Sequence, residues 1–316
     1  MENSIEKGNP KREKIGHLSF HDQIQRNKIK SALMIGVIFI FFIILGYVIS
    51  LAVDPGYFFI IMIFATIFSL TYVIAGYYNS DKIALASVRA KPASKTEHRM
   101  FYHSVEGISI ASGLPMPRLY VMESNEINAF ASGRNPENAV ICITTAAFEK
   151  LNKQELEGVV AHEMSHIANY DIRFMTLTAV LVGMISIIAQ LFLRSLWFSN
   201  MGRGNRDSKG QAILILLGVL FAILAPIVAQ IVSLAISRKR EYAADATGVK
   251  FTRYPPGLAN ALKKIKKEHV PESEKKQKVA KSMAPLFISD PFKKKITGLF
   301  STHPDIDDRI NKLERM

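Results

Sequence analysis

Four long runs of apolar residues divide this chain. They cover residues 32–53, 57–78, 174–193 and 212–236. The first two runs contain no charged residue, and each is long enough to cross roughly 30 Å of hydrocarbon as a helix that rises about 1.5 Å per residue. Only the short turn 54–56 separates them. We therefore expect these two runs to form a transmembrane helical hairpin.

The second pair of apolar runs contains polar residues. Gln190 and Arg194 stand at the end of the third run, and Pro226 and Gln230 lie within the fourth. Membrane helices tolerate such residues where neighbouring helices or water satisfy the freed polar groups. These runs predict a second hairpin that either spans the bilayer, giving about four transmembrane helices, or packs inside the protein.

Basic residues flank the first hairpin at both of its ends. Seven Lys and Arg residues precede it and five follow it within residues 79–99, while its turn has none. Cytoplasmic segments carry such an excess, so both ends of the hairpin are expected in the cytoplasm. The loop 199–210 holds three basic residues and favours the opposite orientation, but Arg173 and the basic cluster 238–240 outweigh it narrowly.

Composition limits the partners of the chain. The 316 residues are 49% hydrophobic and carry a formal net charge of +13. Lysines between residues 263 and 295 are interspersed with Glu268, Glu272 and Glu274, which favours a solvated face near anionic lipid. We therefore expect a lipid bilayer as a partner and no nucleic acid. The single cysteine, Cys142, excludes an intrachain disulfide.

Short elements are predicted between the two hairpins. Ser94 and Glu97 form a capping-box pattern that opens a helix, and Asn152 with Glu155 opens another. Turn-forming residues separate three apolar segments between those helices. The predicted strands are residues 118–122, 128–131 and 140–144.

The helix that follows Asn152 carries the clearest chemistry. It contains the pattern HExxH, formed by His162, Glu163 and His166. Two histidines four residues apart project from one face of a helix and can share one metal ion. Zinc binds nitrogen and oxygen ligands in a tetrahedron, with one position left open at catalytic sites. Glu163 would then act as the general base; the alternative is a surface helix with incidental histidines.

A third protein ligand is expected in the pattern ExxxD, formed by Glu241 and Asp245. It follows the fourth apolar run directly, while HExxH directly precedes the third. An even number of crossings separates the two motifs, so a returning hairpin would bring Glu241 back to the histidines. Asp245, one turn later, could accept a hydrogen bond from the other ring nitrogen of a ligand histidine. The alternative is that Glu241 is a surface charge beside Arg238 and Arg240.

These features together resemble the HtpX family of bacterial and archaeal membrane zinc endopeptidases. The resemblance rests on the two N-terminal spans, HExxH, ExxxD after a hydrophobic hairpin, and Thr302, His303 and Pro304 followed by Arg309. It extends from the first span to Arg309. Members of this family are related to the prenyl-protein endopeptidases and belong to the gluzincins, in which the third zinc ligand is a glutamate.

The resemblance implies an α+β membrane protein, mainly helical, with a small β-sheet in a gluzincin-type zinc metalloprotease domain. It implies one Zn²⁺ per chain on His162, His166 and Glu241. It also implies quality control of misfolded or membrane proteins by a multi-pass enzyme of the plasma membrane, with its active site facing the cytoplasm. Glu163 would take a proton from the attacking water and deliver it to the leaving amine.

Further site residues follow from the resemblance. Asn128, Ala129, Phe130 and Ala131 are similar to the edge strand with which gluzincins bind the substrate backbone; the alternative is an ordinary core strand. His303 resembles a late catalytic histidine that stabilises the oxyanion, and Arg309 resembles its supporting residue. A His-Pro pair can also simply begin a helix.

The chain would then divide into five parts. These are a basic cytoplasmic segment (1–30), transmembrane hairpin 1 (31–78), the first part of the catalytic domain with the HExxH helix (79–173), hydrophobic hairpin 2 (174–236), and the second part of the catalytic domain with the third ligand (237–316).

Three other functions remain as alternatives. A zinc transporter would bind its ion near the middle of the bilayer, and an intramembrane protease would hold HExxH inside a span, whereas Lys150, Lys153, Glu155 and Glu157 directly precede the motif here. A non-proteolytic membrane chaperone could bind zinc structurally. Glu163 would have no function in such a structural site.

Overall fold

The computed structural model describes residues 20–52, 55–181, 185, 238–268, 286–288 and 304–316. In these residues the protein is mostly helical and has one small mixed β-sheet, which confirms that part of the predicted fold. Most of the predicted second hairpin lies outside the described residues, so the total of about four transmembrane helices stays a prediction.

Two long helices begin the described chain. They are α1 (Phe20–Ala52) and α2 (Phe58–Tyr78), with a 3-10 turn at Pro55–Tyr57 between them. Among the described residues, Ile24–Val48 and Phe58–Tyr78 are helical segments long and apolar enough to cross a membrane. The helices pack side by side through Phe42 and Phe68, whose ring centroids lie 5.0 Å apart.

Large apolar side chains of α2 face outward. Phe59 is 76% exposed and Phe64 is 69% exposed. Soluble proteins rarely expose such side chains in one contiguous patch. The exposed face of α2 is therefore compatible with contact to the hydrocarbon of a membrane.

The sheet holds all three of the predicted strands. In chain order the strands are β1 (Lys91–Pro92), β2 (Arg118–Met122), β3 (Ala129–Gly133) and β4 (Ala139–Thr144). Their order in the sheet is β1-β2-β4-β3; β2 and β4 are parallel, and the outer strands are antiparallel to their neighbours. Because β3 pairs with β4 on one side only, its other side is an edge of the sheet.

Further helices surround the sheet. In chain order they are α3 (Ser80–Ser87), α4 (Arg99–Ser112), α5 (Thr145–Lys150), α6 (Lys153–Ala168), α7 (residues 171–181), α8 (Arg238–Thr252), α9 (Pro255–Lys267) and α10 (Ile306–Leu313). The central helix is α6, which packs against α4, α8, α9 and β3. Nearly all of its residues after Glu157 are buried.

Both predicted capping patterns are present, but they act differently. At the start of α6, the Asn152 side chain accepts from the Glu155 N–H at 3.0 Å and the Glu155 carboxylate accepts from the Asn152 N–H at 2.8 Å. Ser94 accepts from the Glu97 N–H at 3.3 Å, yet α4 begins only at Arg99. The Ser94 bond therefore closes a turn that leads into the helix.

Two glycines allow helices to approach α6 closely. A Cβ at Gly158 would lie 2.5 Å from the Leu258 N of α9, and a Cβ at Gly248 would lie 3.0 Å from the His162 N. Neither position has room for a side chain without movement of backbone. The close contact at Gly248 brings α8 directly against the HExxH segment.

Gly158→Ala should lower the stability of the fold by about 1–3 kcal/mol, because its methyl group would force the backbones of α6 and α9 apart. Gly107→Ala is the matched control, since Gly107 lies exposed in α4 with nothing within 4 Å of its missing Cβ. It should stabilise the fold by about 0.5–1 kcal/mol. Thermal unfolding of the two purified variants in detergent measures both effects, and equal melting temperatures would contradict the close packing.

Candidate metal centre and active site

The two histidines of HExxH lie one turn apart on the buried face of α6. Their Nε2 atoms are 3.3 Å apart, and both side chains are almost completely shielded from solvent. Helix α8 brings the Glu241 carboxylate against them, at 3.6 Å from His162 Nε2 and 3.8 Å from His166 Nε2. The three donor groups lie within 4.8 Å of one another.

This arrangement fits a divalent metal ion. A tetrahedral zinc site with bonds of about 2.0–2.1 Å has ligand atoms about 3.3–3.5 Å apart, and the two histidine Nε2 atoms are separated by 3.3 Å. Glu241 Oε2 lies 3.6 Å from His162 Nε2 and its Oε1 lies 3.8 Å from His166 Nε2, so a small shift of this carboxylate would complete the set. Glu163 Oε1 is buried beside the same atoms and has no hydrogen-bond partner among the described residues. Two imidazoles and one carboxylate are a donor set that zinc prefers.

Carboxylates hold the outer nitrogen of each ring. His162 Nδ1 lies 2.9 Å from Asp245 Oδ1, and His166 Nδ1 lies 3.0 Å from Asp171 Oδ2. A carboxylate accepts a hydrogen bond, so each Nδ1 donates its proton outward, and an Nε2 that has lost its proton would present its lone pair to a metal ion at the centre. This contact of Asp245 was predicted from its spacing after Glu241.

The role of Asp171 was missed by the sequence reasoning. The sequence alone predicts no chemical role for Asp171, although this residue follows His166, the last residue of HExxH, by five positions. Its carboxylate returns to His166 because the backbone reverses at Tyr170, which adopts a left-handed conformation with φ of 59°. An acidic residue shortly after HExxH was the available signal, but the reversal itself could not be read from the sequence.

Arg309 of α10 is the largest fully buried side chain. Its Nη2 donates to Asp245 Oδ1 at 2.6 Å and its Nε donates to Asp245 Oδ2 at 2.9 Å, a bidentate pair. Its Nη1 also donates to the Ile288 carbonyl at 3.3 Å. Arg309 therefore fixes the carboxylate that in turn orients His162.

The buried charges shift one another's pKa values. Burial alone would lower the pKa of His162, but hydrogen bonds with Asp245 and Glu241 outweigh it and raise this pKa to about 9. Burial alone would raise the pKa of Asp245, but Arg309 and His162 outweigh it and keep this pKa below its usual range. For Arg309, burial is outweighed by Asp245, and its pKa lies above the ordinary value.

Glu163 lies beside the metal-binding atoms and next to strand β3. Burial raises the pKa of its carboxyl group, although the two histidines and a hydrogen bond from the Ala131 backbone lower it in part. A carboxylate whose pKa is raised accepts a proton more readily than an ordinary carboxylate does. This geometry suits the predicted general base.

The predicted substrate strand, residues 128–131, lies at the edge of the sheet. Part of that edge is already paired, because the Ile288 N–H donates to the Ala129 carbonyl at 3.0 Å and Phe287 forms an antiparallel bridge with Phe130. The rings of Phe130 and Phe287 pack with centroids 5.2 Å apart. Phe130 is fully buried, so it belongs to the core as well as to the edge strand.

His303, the remaining predicted site residue, lies outside the described residues. The structure thus brings together His162, Glu163, His166, Glu241, Asp245 and Arg309, with Asn128, Ala129, Phe130 and Ala131 on or next to the adjacent strand.

Comparison with known proteins agrees with this geometry. The family model for Peptidase family M48 matches residues 95–316. The chain belongs to this family. A Protease HtpX homolog of Dictyoglomus thermophilum is 42% identical over 94% of this chain and 95% of its own length. Another Protease HtpX homolog, of Caldanaerobacter subterraneus subsp. tengcongensis, is 43% identical over 87% of this chain and 93% of its own length.

The chain also aligns with a solved structure. The crystal structure of S. mikatae Ste24p gives a TM-score of 0.47 at 19% identity, covering 92% of this chain and 66% of that chain.

Membership of family M48 confirms the resemblance drawn from the sequence and the interpretation of the chain as a metalloprotease. The family implies a bound metal ion, generally zinc, and the group of His162, His166 and Glu241 could hold one.

Arg309→Met should destabilise the fold by about 3–5 kcal/mol, because it leaves the Asp245 carboxylate buried without its cationic partner. Lys266→Met is the matched control. Its ion pair with Asp307 has side chains that are 52% and 56% exposed, and exposed pairs contribute about 0–1 kcal/mol. Thermal unfolding measures both, and a small, equal effect of the two substitutions would contradict the proposed importance of the buried pair.

Proposed function

We propose that this M48 metalloprotease is a zinc-dependent endopeptidase anchored in the plasma membrane, which hydrolyses misfolded or membrane proteins at the cytoplasmic face. The main support is the group of three buried donors, His162, His166 and Glu241, within 4.8 Å of one another and with Glu163 beside them. Three protein ligands leave one tetrahedral position open, as in catalytic zinc sites. A structural site would be closed by a fourth protein ligand.

One Zn²⁺ per chain would be held by His162, His166 and Glu241, with Asp245 and Arg309 as supporting residues. When bound, this ion supplies Lewis-acid chemistry to the scissile carbonyl and to the attacking water. Glu163 accepts the proton of that water and later donates it to the leaving amide nitrogen. His303 donates a hydrogen bond to the developing oxyanion.

The substrate is proposed to pair as an extended strand with the edge formed by residues 128–131. Backbone pairing is independent of side chains, so it would accept many unfolded sequences. Ala131 lies next to Glu163, to which it is hydrogen-bonded through its backbone, so a peptide on this edge would pass the catalytic carboxyl group. Pairing at Ala129 would require displacement of Ile288, which bonds to its carbonyl.

The membrane arrangement is proposed from the sequence. Hairpin 1 (31–78) and hydrophobic hairpin 2 (174–236) would span the bilayer, and the basic segment 1–30 together with catalytic parts 79–173 and 237–316 would lie on the cytoplasmic side. The basic residues on both sides of the first hairpin support this orientation.

A zinc transporter is less well supported. Its ligands would lie on helices that cross the bilayer, whereas the three donors lie on α6 and α8, neither of which is among the helices of the described chain that are apolar enough to span. The position of Glu163 beside the donors also has no use in a non-proteolytic chaperone.

Glu163→Gln should keep about one zinc per chain and lose hydrolysis of casein by a factor of about 10²–10⁴, because the amide cannot accept the proton. Glu157→Gln is the control on the same helix, since Glu157 pairs with the exposed Lys153 across 3.8 Å, and its activity should match the wild type. Zinc content and casein hydrolysis are measured on the same preparations. An active Glu163→Gln enzyme would exclude Glu163 as the base.

Removal of the metal with a chelator should abolish casein hydrolysis, and added Zn²⁺ should restore it. Glu241→Gln should weaken zinc binding by at least about tenfold, because an amide oxygen is a poorer zinc ligand than a carboxylate. Asp307→Asn, an exposed change on α10, should leave the affinity unchanged. If the chelated protein stayed fully active, the zinc mechanism would be wrong.

A further inference from the structure

The first helix contacts the turn that carries Asp171, the carboxylate bonded to His166. Asn27 of α1 is 7% exposed, and its side-chain amide donates two hydrogen bonds to the turn that follows α6. One goes to Asp171 Oδ1 at 2.7 Å and the other to the Asn169 carbonyl at 2.9 Å. Asn27 is 144 positions before Asp171 in sequence and lies outside the segment that matches the M48 family model.

The two oxygens of Asp171 have different partners. Oδ2 faces His166 Nδ1 at 3.0 Å, and Oδ1 accepts from Asn27. A carboxylate held at one oxygen alone can still rotate about its side-chain bonds. Hydrogen bonds at both oxygens fix its plane, and with it the direction in which His166 presents Nε2.

A second contact from α1 supports the same turn. Lys28 Nζ lies 4.6 Å from the ring centroid of Tyr170, the residue with the left-handed backbone. That conformation costs a residue with a side chain on the order of 1–2 kcal/mol and persists only where its surroundings hold it. The Lys28 cation over the Tyr170 ring and the Asn27 amide on the Asn169 carbonyl thus both stabilise this turn from α1.

We propose that Asn27 is a positioning residue of the metal centre, which orients Asp171 and through it the ligand His166. The helix α1 is then part of the active site as well as a membrane anchor. This inference rests on the proposed metal function of His162, His166 and Glu241. It differs from a purely structural role, in which Asn27 would satisfy buried polar groups and affect only stability.

The test compares full-length wild type with Asn27→Leu in detergent, both loaded with Co²⁺ in place of zinc. Leucine has the same branching and the same number of side-chain heavy atoms as asparagine, but it can form neither hydrogen bond. The affinity for Co²⁺ and Zn²⁺, measured by competition with a chelator, should fall about tenfold. The visible absorption bands of bound Co²⁺ should change in position or intensity, because they report the geometry of the ligands.

Asn79→Leu is the matched control. In the described part of the chain, the Asn79 amide donates to the Ala75 carbonyl one turn earlier at 3.0 Å, in an exposed hydrogen bond, so this variant should keep the wild-type affinity and spectrum. Asn27→Asp is a second variant with unchanged volume that serves if the leucine variant does not fold. It replaces the donor by a carboxylate facing Asp171 and should weaken metal binding in the same direction.

A double-mutant cycle with Asp171→Ala tests the route of the effect. If Asn27 acts through Asp171, then Asn27→Leu should not weaken metal binding further in the Asp171→Ala background. Additive losses, or an Asn27 variant with unchanged affinity and spectrum, would overturn the proposal while leaving the metal centre intact. A wild-type protein that binds neither ion would instead reject the proposed metal function itself.

Discussion

The rest of the site depends on the two hydrogen bonds that His162 and His166 donate from Nδ1 to carboxylates. An imidazole can ligate a metal only through a nitrogen that carries no proton and points at the ion. Asp245 and Asp171 impose that state on His162 and His166 respectively. Because each carboxylate comes from a different helix, the correct ligand geometry requires α6, α7 and α8 to be assembled first.

These carboxylates are held in turn by residues from the two ends of the chain. Arg309 of α10 donates a hydrogen bond to Asp245, and Asn27 of α1 donates one to Asp171. Both are buried and both act over long sequence separations. The centre is therefore the meeting point of the long apolar helix α1 and the C-terminal helix α10.

What could be predicted from the sequence follows the distance over which each signal acts. His162 and His166 are one helical turn apart, so their convergence follows from helix geometry alone. Glu241 was predicted as a ligand because an even number of expected membrane crossings separates it from HExxH. Asp245 lies one helical turn beyond Glu241. Resemblance alone indicated Arg309 as a supporting residue, and its contact with Asp245 was not predicted, because no local rule links α10 to α8.

Other features depend on backbone detail that no pattern encodes. The return of Asp171 needs the left-handed Tyr170, and residues of this type rarely adopt that conformation. The pairing of Ile288 with Ala129 is equally hidden, since residues 286–288 carry no distinctive strand pattern. An edge strand has unpaired groups that any nearby segment can satisfy, so the sequence of β3 alone cannot reveal its partner.

The balance of buried charge connects the metal to the fold. Four carboxylates lie at or beside the metal-binding atoms, and two guanidiniums face them in the described chain; the carboxylates are Asp171, Glu163, Glu241 and Asp245, and the guanidiniums are the buried Arg309 and Arg240, whose side chain is 9% exposed. When both histidines are neutral ligands and all four carboxylates are charged, two negative charges are in excess, and a divalent ion would cancel them. Without the ion, a proton on His162, whose pKa lies at about 9, offsets one of these charges, so metal binding replaces this proton and relieves the remaining repulsion. Part of the free energy of metal binding thereby becomes free energy of folding. The carboxylates that surround the donor atoms thus couple metal binding to the stability of the helices that hold the metal.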